Sequence, residues 1–197
     1  MNYPPIILIR HGETQWNIEG RYQGQKDSPL TKKGREQSRL NALKLAKKIK
    51  NLDEVSFFSS PLGRAKASAL IICQTLGIAE ERIVFRKEIG EFDYGIFEGE
   101  LKSFCQITYA TEFKAREADK WYYEIEGGES YELVTQRLKC WLATLDPTKT
   151  AVIIAHEMIN RALRGLYQGL PHEQTLTLRQ ANDVVLLLQN REEFLLT

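Results

Sequence analysis

The sequence has few cysteines and no long hydrophobic run, and both absences exclude classes of protein. Its three cysteines form no CxxC pair and no cluster with histidine, so we expect neither a disulfide framework nor a structural zinc site. No segment approaches the roughly 20 apolar residues that a transmembrane helix needs. The apolar run 6–9 follows no charged segment and is too short for a signal peptide. We therefore expect a cytoplasmic protein.

An excess of charge of one sign is also missing. The 27 lysines and arginines nearly balance the 26 aspartates and glutamates, which leaves a net charge of +1. The most basic segment, 31–50, holds eight basic residues and one glutamate but no aromatic residue, which is typical of a solvated helix face. We therefore expect that the protein binds neither nucleic acid nor an anionic membrane.

The composition is that of a soluble globular protein, with 43% hydrophobic and 27% charged residues. The chain contains no repeat, no low-complexity tract and no linker rich in proline, glycine or serine. We expect one domain over residues 1–197. The sequence does not determine the oligomeric state, and we leave a homodimer open.

Apolar segments that resemble buried strands alternate with segments of helical periodicity. The strands are predicted at 6–9, 55–58, 83–85, 151–155 and 184–188. Helices are predicted at 32–49 after the N-cap Thr31, from Ser60-Pro61 to the residue before Gly77, and at 102–121, 131–145 and 158–168. This alternation indicates an α/β protein: a three-layer α/β/α sandwich with a mostly parallel sheet.

Four cationic or titratable side chains follow predicted strands. His11 and His156 each come directly after a strand, and Arg10 precedes His11. In open α/β sheets, ligands bind outside the carboxyl ends of the strands. Arg64 lies in the first turn of a predicted helix, where a cation opposes the helix dipole, so we expect a bound anion between it and the helix amides. A single histidine after a strand is more often structural, but two arginines and two histidines at one edge suit a phosphate group.

Five ordered motifs resemble one family. The segment LIRHGETQWNIEGRYQGQKDSPLTKKG (8–34) closely resembles the signature of the histidine phosphatases, the superfamily that includes cofactor-dependent phosphoglycerate mutase. Later segments match its further blocks: SSPLGRAKASA (59–69), EFDYGIFEG (91–99), GGES (127–130) and AVIIAHEMINRALRG (151–165). The resemblance spans nearly the whole chain and implies a phosphoglycerate mutase-like fold.

The resemblance also implies roles for individual residues. His11 corresponds to the nucleophile that becomes phosphohistidine. Arg10, Arg64 and His156 correspond to residues that bind the phosphoryl group, and Asn17 corresponds to a further phosphate contact. Arginine forks and fixed cations are the groups that the charge on a transferring phosphoryl group requires.

Glu91 corresponds to the acid–base residue of the family. A leaving alkoxide is a poor leaving group and needs a proton, which a protonated glutamate can give. We expect a raised pKa for Glu91, because a neighbouring phosphate dianion disfavours its ionised form. Water then attacks the phosphohistidine, with Glu91 as the base. We expect no metal and no cofactor, since the sequence offers no carboxylate cluster that could hold a metal ion.

Two features depart from the family pattern. Many members have glycine after the second histidine, where this chain has Glu157. We expect its carboxylate to point away from the phosphate, toward a basic residue. True mutases are also longer, with an insertion that closes over the substrate, whereas only 36 positions separate Glu91 from the GGES block. Tyr94 and Lys102 lie where mutases hold substrate-contacting residues.

These observations favour a phosphomonoester hydrolase with a phosphohistidine intermediate that acts on a small phosphorylated metabolite. The short insertion leaves the site open to water, which favours hydrolysis. The first alternative is a cofactor-dependent phosphoglycerate mutase, which interconverts 2- and 3-phosphoglycerate. The second is a non-catalytic protein that binds phosphate on the same fold, although a protein without activity need not retain the complete set of site residues.

Overall fold

A computed structural model describes residues 3–197 and shows one six-stranded sheet at the centre of the fold. The strands lie in the order β3-β2-β4-β1-β5-β6. Strands β1 to β4 are parallel, whereas β5 is antiparallel to β1 and β6 is antiparallel to β5. Their bounds are Ile6–Arg10 (β1), Val55–Ser59 (β2), Ile83–Phe85 (β3), Thr150–Ala155 (β4), Val185–Gln189 (β5) and Glu192–Leu196 (β6).

Eight α-helices lie within the described residues, together with short 3-10 turns. Their bounds are Gln15–Glu19 (α1), Lys32–Lys48 (α2), Gly63–Leu76 (α3), Lys102–Thr108 (α4), Ala110–Ala118 (α5), Tyr131–Leu142 (α6), Glu157–Gln168 (α7) and His172–Thr177 (α8). None of the helices in residues 3–197 is long and apolar enough to span a membrane.

The strand β1 shows why the fold has three layers. Its residues are buried on both faces, so that Ile6 and Leu8 enter one core and Ile7 and Ile9 enter the other. Helices α2 and α3 cover the second core, and α6 and α7 cover the first. The predicted three-layer sandwich with a mostly parallel sheet is confirmed.

Several predicted boundaries are wrong. Helix α3 begins at Gly63, with Leu62 as its N-cap, and not at Ser60-Pro61. The hydroxyl of Ser60 instead accepts a hydrogen bond from the Leu62 amide at 3.3 Å and contacts a site histidine. The predicted helix 102–121 is broken at Tyr109, whose backbone (φ −109°, ψ 42°) leaves the helical region between α4 and α5.

The helix predicted at 131–145 is also shorter in the structure, where α6 ends at Leu142. The hydroxyl of Thr144 donates to the carbonyl of Trp141 at 2.7 Å, and the Thr144 amide donates to the same carbonyl. These bonds close the last turn before the helix can continue.

The parallel register brings the motif residues together. Arg10 pairs with Ala155 between β1 and β4, and Ser59 pairs with Ile154 between β2 and β4. The residues that follow these three strands therefore share one edge of the sheet. A close approach of Gly12 to Gly34 holds α2 against this edge: a Cβ on Gly12 would lie 2.0 Å from the Gly34 carbonyl oxygen.

Candidate active site

A cavity of about 420 Å³ lies at this carboxyl edge of the sheet. Seven of the eight predicted site residues line it: Arg10, His11, Asn17, Arg64, Glu91, Tyr94 and Lys102. The eighth, His156, is completely buried beside the cavity, with its ring centroid 5.2 Å from that of His11. The residues predicted from separate parts of the chain thus form one cluster.

His11 is held with one ring nitrogen free. Its Nδ1 lies 2.7 Å from the carbonyl oxygen of Gly12, and a carbonyl can only accept, so Nδ1 carries the proton. The other nitrogen, Nε2, then has a free lone pair. Burial, followed by the charges of Arg64 and Arg10, holds the pKa of His11 well below its ordinary range. The ring is therefore neutral and suited to act as a nucleophile.

His156 is fixed by a serine hydroxyl. Its Nε2 lies 2.7 Å from Ser60 Oγ. That hydroxyl accepts from the Leu62 amide, and its own proton has no acceptor other than His156 among residues 3–197. The proton of His156 then lies on Nδ1, which is buried without a hydrogen-bond partner in the described chain. Burial, and then Arg64, lowers the pKa of His156 strongly, so the ring is a neutral donor.

Arg64 is anchored by main-chain oxygens. Its side chain donates to the carbonyls of Lys26 and Gly24, both at 2.8 Å, and to Asp27 Oδ1 at 2.9 Å. Asp27 also accepts from the amides of Gly63 and Arg64 at the start of α3. The anion that we expected between Arg64 and these amides is therefore a carboxylate of the protein itself, and a bound anion is not needed to explain Arg64. Its Nε is buried without a partner among residues 3–197.

Arg10 forms an ion pair with Glu157. Its NH1 group donates to the Glu157 carboxylate and, at 2.9 Å, to the carbonyl of Gln180. The second carboxylate oxygen of Glu157 lies 3.3 Å from NH2 of Arg161. The expectation that Glu157 faces a basic residue is confirmed. The expectation that it points away from the site is wrong, because it lines the cavity and its partner is a predicted phosphate-binding residue.

Glu91 is an almost buried carboxyl, 7% exposed, in the same cavity. Burial is the largest cause that raises its pKa, and the charges of Arg64 and Arg10 and a 2.8 Å hydrogen bond from the Phe92 amide oppose that rise. The predicted direction is confirmed, although burial raises the pKa without any phosphate dianion. A raised pKa favours the protonated carboxylic acid that a leaving group requires.

Three further predicted residues line the same cavity. Asn17 uses its Oδ1 to accept from the Thr14 amide at 3.0 Å, in the capping box of α1. Tyr94 is buried, with its ring centroid 4.6 Å from that of Tyr22. Lys102 Nζ lies 5.7 Å from the centroid of the Tyr22 ring.

The cavity is also lined by residues that the sequence reasoning missed. Arg116 is 7% exposed, its guanidinium lies 5.7 Å from the Tyr94 ring, and its Nε has no partner in the described chain. No signal in the sequence of α5 distinguishes Arg116 from the other charged residues. Other missed residues lie inside motifs that were already recognised, where their position was the available signal: Gln23 and Arg161 line the cavity, and Ser60 contacts His156 beside it.

Comparisons with known proteins agree with this geometry. The chain is 34% identical over 191 residues to a probable phosphoglycerate mutase of Salmonella paratyphi C, which covers 90% of this chain and 81% of that protein. It is also 34% identical over 180 residues to a probable 2-carboxy-D-arabinitol-1-phosphatase of Arabidopsis thaliana. That match covers 90% of this chain but only 36% of the longer plant protein.

A solved structure and a family profile complete the comparison. The α-ribazole phosphatase of Shigella flexneri superposes with a TM-score of 0.81 at 25% identity, over 97% of this chain and 94% of that one. The profile of the histidine phosphatase superfamily, branch 1, matches residues 6–194. The profile match covers nearly the whole chain, and the motif residues lie together at one cavity. The chain therefore belongs to the histidine phosphatase superfamily.

Proposed function

We propose that the protein hydrolyses phosphomonoesters of small metabolites through a phosphohistidine on His11. The observation that carries the proposal is the free Nε2 of a neutral His11 beside the Arg10 and Arg64 guanidiniums. Glu91, a carboxyl with a raised pKa, lies in the same cavity. A nucleophile, fixed cations and a proton donor are the three groups that this reaction needs.

In the first step, the lone pair of His11 Nε2 forms a bond to phosphorus as the bond to the ester oxygen breaks. The ester oxygen leaves with the proton of Glu91 as a neutral alcohol. The charge on the equatorial phosphoryl oxygens is stabilised by Arg10, Arg64 and the Nδ1–H of His156. Because these groups are held before substrate arrives, little reorganisation is needed in the transition state.

In the second step, water attacks the phosphorus of the phosphohistidine. Glu91, now ionised, takes a proton from that water as the P–N bond breaks, and inorganic phosphate forms. The cycle returns His11 to its neutral state and Glu91 to its protonated state. No step involves a metal ion or a cofactor.

Phosphoglycerate mutase activity is a second candidate function, and the basic residues of segment 101–126 that line the cavity favour it. Residues 101–126 are acidic in sum, yet Lys102, Arg116 and Lys120 of this segment line the cavity. This arrangement suits a substrate with an acidic group besides its phosphate. The segment has no adjacent pair of arginines, however, and it is short, so retention of a monophosphorylated intermediate away from water is not supported.

The test is a panel of phosphomonoesters, with sugar phosphates and nucleotides included, run beside a mutase assay. We expect phosphate release from several substrates, with 3-phosphoglycerate no better than the others. Rapid interconversion of 2- and 3-phosphoglycerate with negligible phosphate release would establish the mutase instead. Phosphate binding without either reaction would support the non-catalytic alternative.

We also propose that residues 1–197 act as one domain in the cytoplasm, on a small phosphorylated molecule and not on a nucleic acid. The profile match over 6–194 and the balanced charge support this proposal. Formation of a homodimer stays a prediction, which light scattering of the purified protein would test.

A further inference from the structure

The end of the Arg10 side chain is restrained from two directions. Its NH1 group donates to the carboxylate of Glu157 and to the carbonyl of Gln180 at 2.9 Å. Only 17% of the Arg10 side chain and 13% of the Glu157 side chain are exposed. Glu157 is the first residue of α7 and follows His156 directly, so its backbone position is fixed by the same strand end that carries the histidine.

The carboxylate of Glu157 is itself anchored. Its second oxygen lies 3.3 Å from NH2 of Arg161, one turn further along α7. Arg161 is held in turn by the Leu178 carbonyl and the Tyr131 hydroxyl, both at 2.8 Å. A carboxylate shared between two restrained guanidiniums cannot turn without breaking one of these bonds.

This arrangement leaves one side of the Arg10 guanidinium free. Within residues 3–197, neither Nε nor NH2 of Arg10 makes a hydrogen bond, and Nε is buried. In an arginine, Nε–H and one N–H of NH2 lie side by side and form the fork that binds two phosphoryl oxygens. The occupied NH1 and the free fork are on opposite sides of one planar group.

We propose that Glu157 is a positioning residue, which holds NH1 of Arg10 so that the Nε–NH2 fork faces the transferring phosphoryl group. The inference rests on the proposed function. Glu157 does not touch the substrate: it acts through Arg10. It replaces a freely rotating guanidinium by one whose binding edge is already oriented, which lowers the cost of reaching the transition state.

A competing role for Glu157 predicts a change in kcat/KM of the opposite sign when its carboxylate is removed. If the carboxylate merely occupied a phosphate-binding arginine, its removal would release Arg10 and remove a negative charge near the phosphate. Both Glu157→Ala and Glu157→Gln would then raise kcat/KM. Under the positioning role, Glu157→Ala lowers kcat/KM about tenfold, mostly in kcat, because misplacement of a transition-state contact affects the chemical step.

The conservative variant separates positioning from charge. In Glu157→Gln the amide oxygen can still accept from Arg10 NH1, so we expect most of the kcat lost in Glu157→Ala to return. Glu193→Gln is the matched control. Glu193 forms a two-point ion pair, with both contacts at 2.7 Å, with Arg164 of α7, the helix that also carries Glu157. This pair lies outside the cavity. We expect the kinetics of Glu193→Gln to stay within twofold of the wild type.

A double-mutant cycle with Arg10→Lys completes the test, with an aryl phosphate as substrate. Lysine has no fork to orient, so Glu157→Ala should change kcat less than twofold in that background. A tenfold loss in both backgrounds, or unchanged or raised kcat/KM in Glu157→Ala alone, would overturn the inference. An active wild type with such results contradicts only this inference, whereas an inert wild type contradicts the proposed function as well.

Discussion

The phosphoryl side of the cavity, formed by the residues proposed to bind the phosphoryl group, differs in construction from the side formed by the segment 101–126, which we call the lid. On the phosphoryl side, His11, Arg64 and His156 are at most 2% exposed, and main-chain oxygens or a buried hydroxyl hold each of them. On the lid side, Lys102 is exposed, and Lys120, just beyond the end of α5, pairs at 2.7 Å with Glu117 of that helix.

This difference separates chemistry from selectivity. Groups fixed at a sheet edge have one geometry and suit a step in which charge develops at defined atoms. Lysines at the exposed ends of short helices contribute through weak, screened electrostatics. The comparison therefore predicts large effects that are equal for all substrates where a residue binds the phosphoryl oxygens, and small, substrate-dependent effects on the lid.

The largest effect is expected for His11→Ala, which removes the attacking nitrogen. Turnover should fall to background for every substrate, and the acid-labile phosphate that we expect to trap on the wild type should be absent. His172→Ala is a control, since His172 is the third histidine and stacks at 3.7 Å on Trp121 outside the cavity. Ordinary activity in His11→Ala would show that the nucleophile is wrongly assigned.

Arg64→Ala is expected to have the next largest effect. Loss of one preorganised contact typically costs on the order of 10²–10³ in rate. Because Arg64 contacts only the phosphoryl group in our proposal, kcat/KM should fall by the same factor for every substrate. A loss confined to one substrate would place Arg64 among the specificity residues and break the comparison. Thermal unfolding should be measured in parallel, since Arg64 also anchors three residues of the loop 24–27.

Glu91→Gln should distinguish substrates by their leaving group. An alkyl phosphate needs the proton of Glu91, whereas an aryl phosphate needs it little, so the alkyl ester should lose far more activity. The raised pKa predicts that the wild type loses kcat/KM on alkyl esters as the pH rises through that pKa and the acid ionises. This loss with rising pH should be absent in Glu91→Gln. Equal losses on both ester types would make Glu91 a structural residue.

Ser60→Ala tests a positioning residue on the phosphoryl side. Without the hydroxyl, the ring proton of His156 is free to move from Nδ1 to Nε2. Nδ1 could then no longer donate a hydrogen bond to the phosphoryl group. We expect kcat to fall about tenfold with little change in KM, and Ser60→Thr to restore it because threonine keeps the hydroxyl. The same loss in Ser60→Thr would indicate that packing, and not the proton position, matters at this site.

The phosphoryl side could be predicted from the sequence because its residues follow strands. His11 and His156 are adjacent in the structure because β1 and β4 are parallel neighbours. The alternation of strands and helices predicts the parallel sheet, whereas the order of the strands comes from the structure. The strand β6 could not be found, since its segment begins with two glutamates and depends on a turn at Asn190 and Arg191, both with positive φ.

The lid could not be predicted to the same degree. The inward direction of Arg116 depends on where the helix breaks at Tyr109, and no sequence signal marks that break. The phosphoryl side has exceptions of its own. The sequence assigns Ser60 to a helix start, because serine before proline is typical of one, and only the tertiary neighbour His156 shows its other role. The position of Arg64 at the start of α3 likewise depends on its contact with Asp27, which lies 37 positions earlier in the sequence.

The smallest effect is expected on the lid, for Lys102→Ala. Its Nζ makes no ion pair with the described residues, and it lines the cavity, so it is available to a second acidic group of a substrate. An exposed charge pair contributes about 0.2–1 kcal/mol, so KM should rise by about 1.4- to fivefold for substrates with a carboxylate. Substrates whose only charge is the phosphate should be unaffected, and the carboxylate effect should shrink at high salt.

Lys114→Ala is the matched control, because Lys114 is exposed on the same lid but does not line the cavity. A fall in kcat for all substrates in Lys102→Ala would mean that the lid takes part in the chemistry, and the division between the two sides would fail.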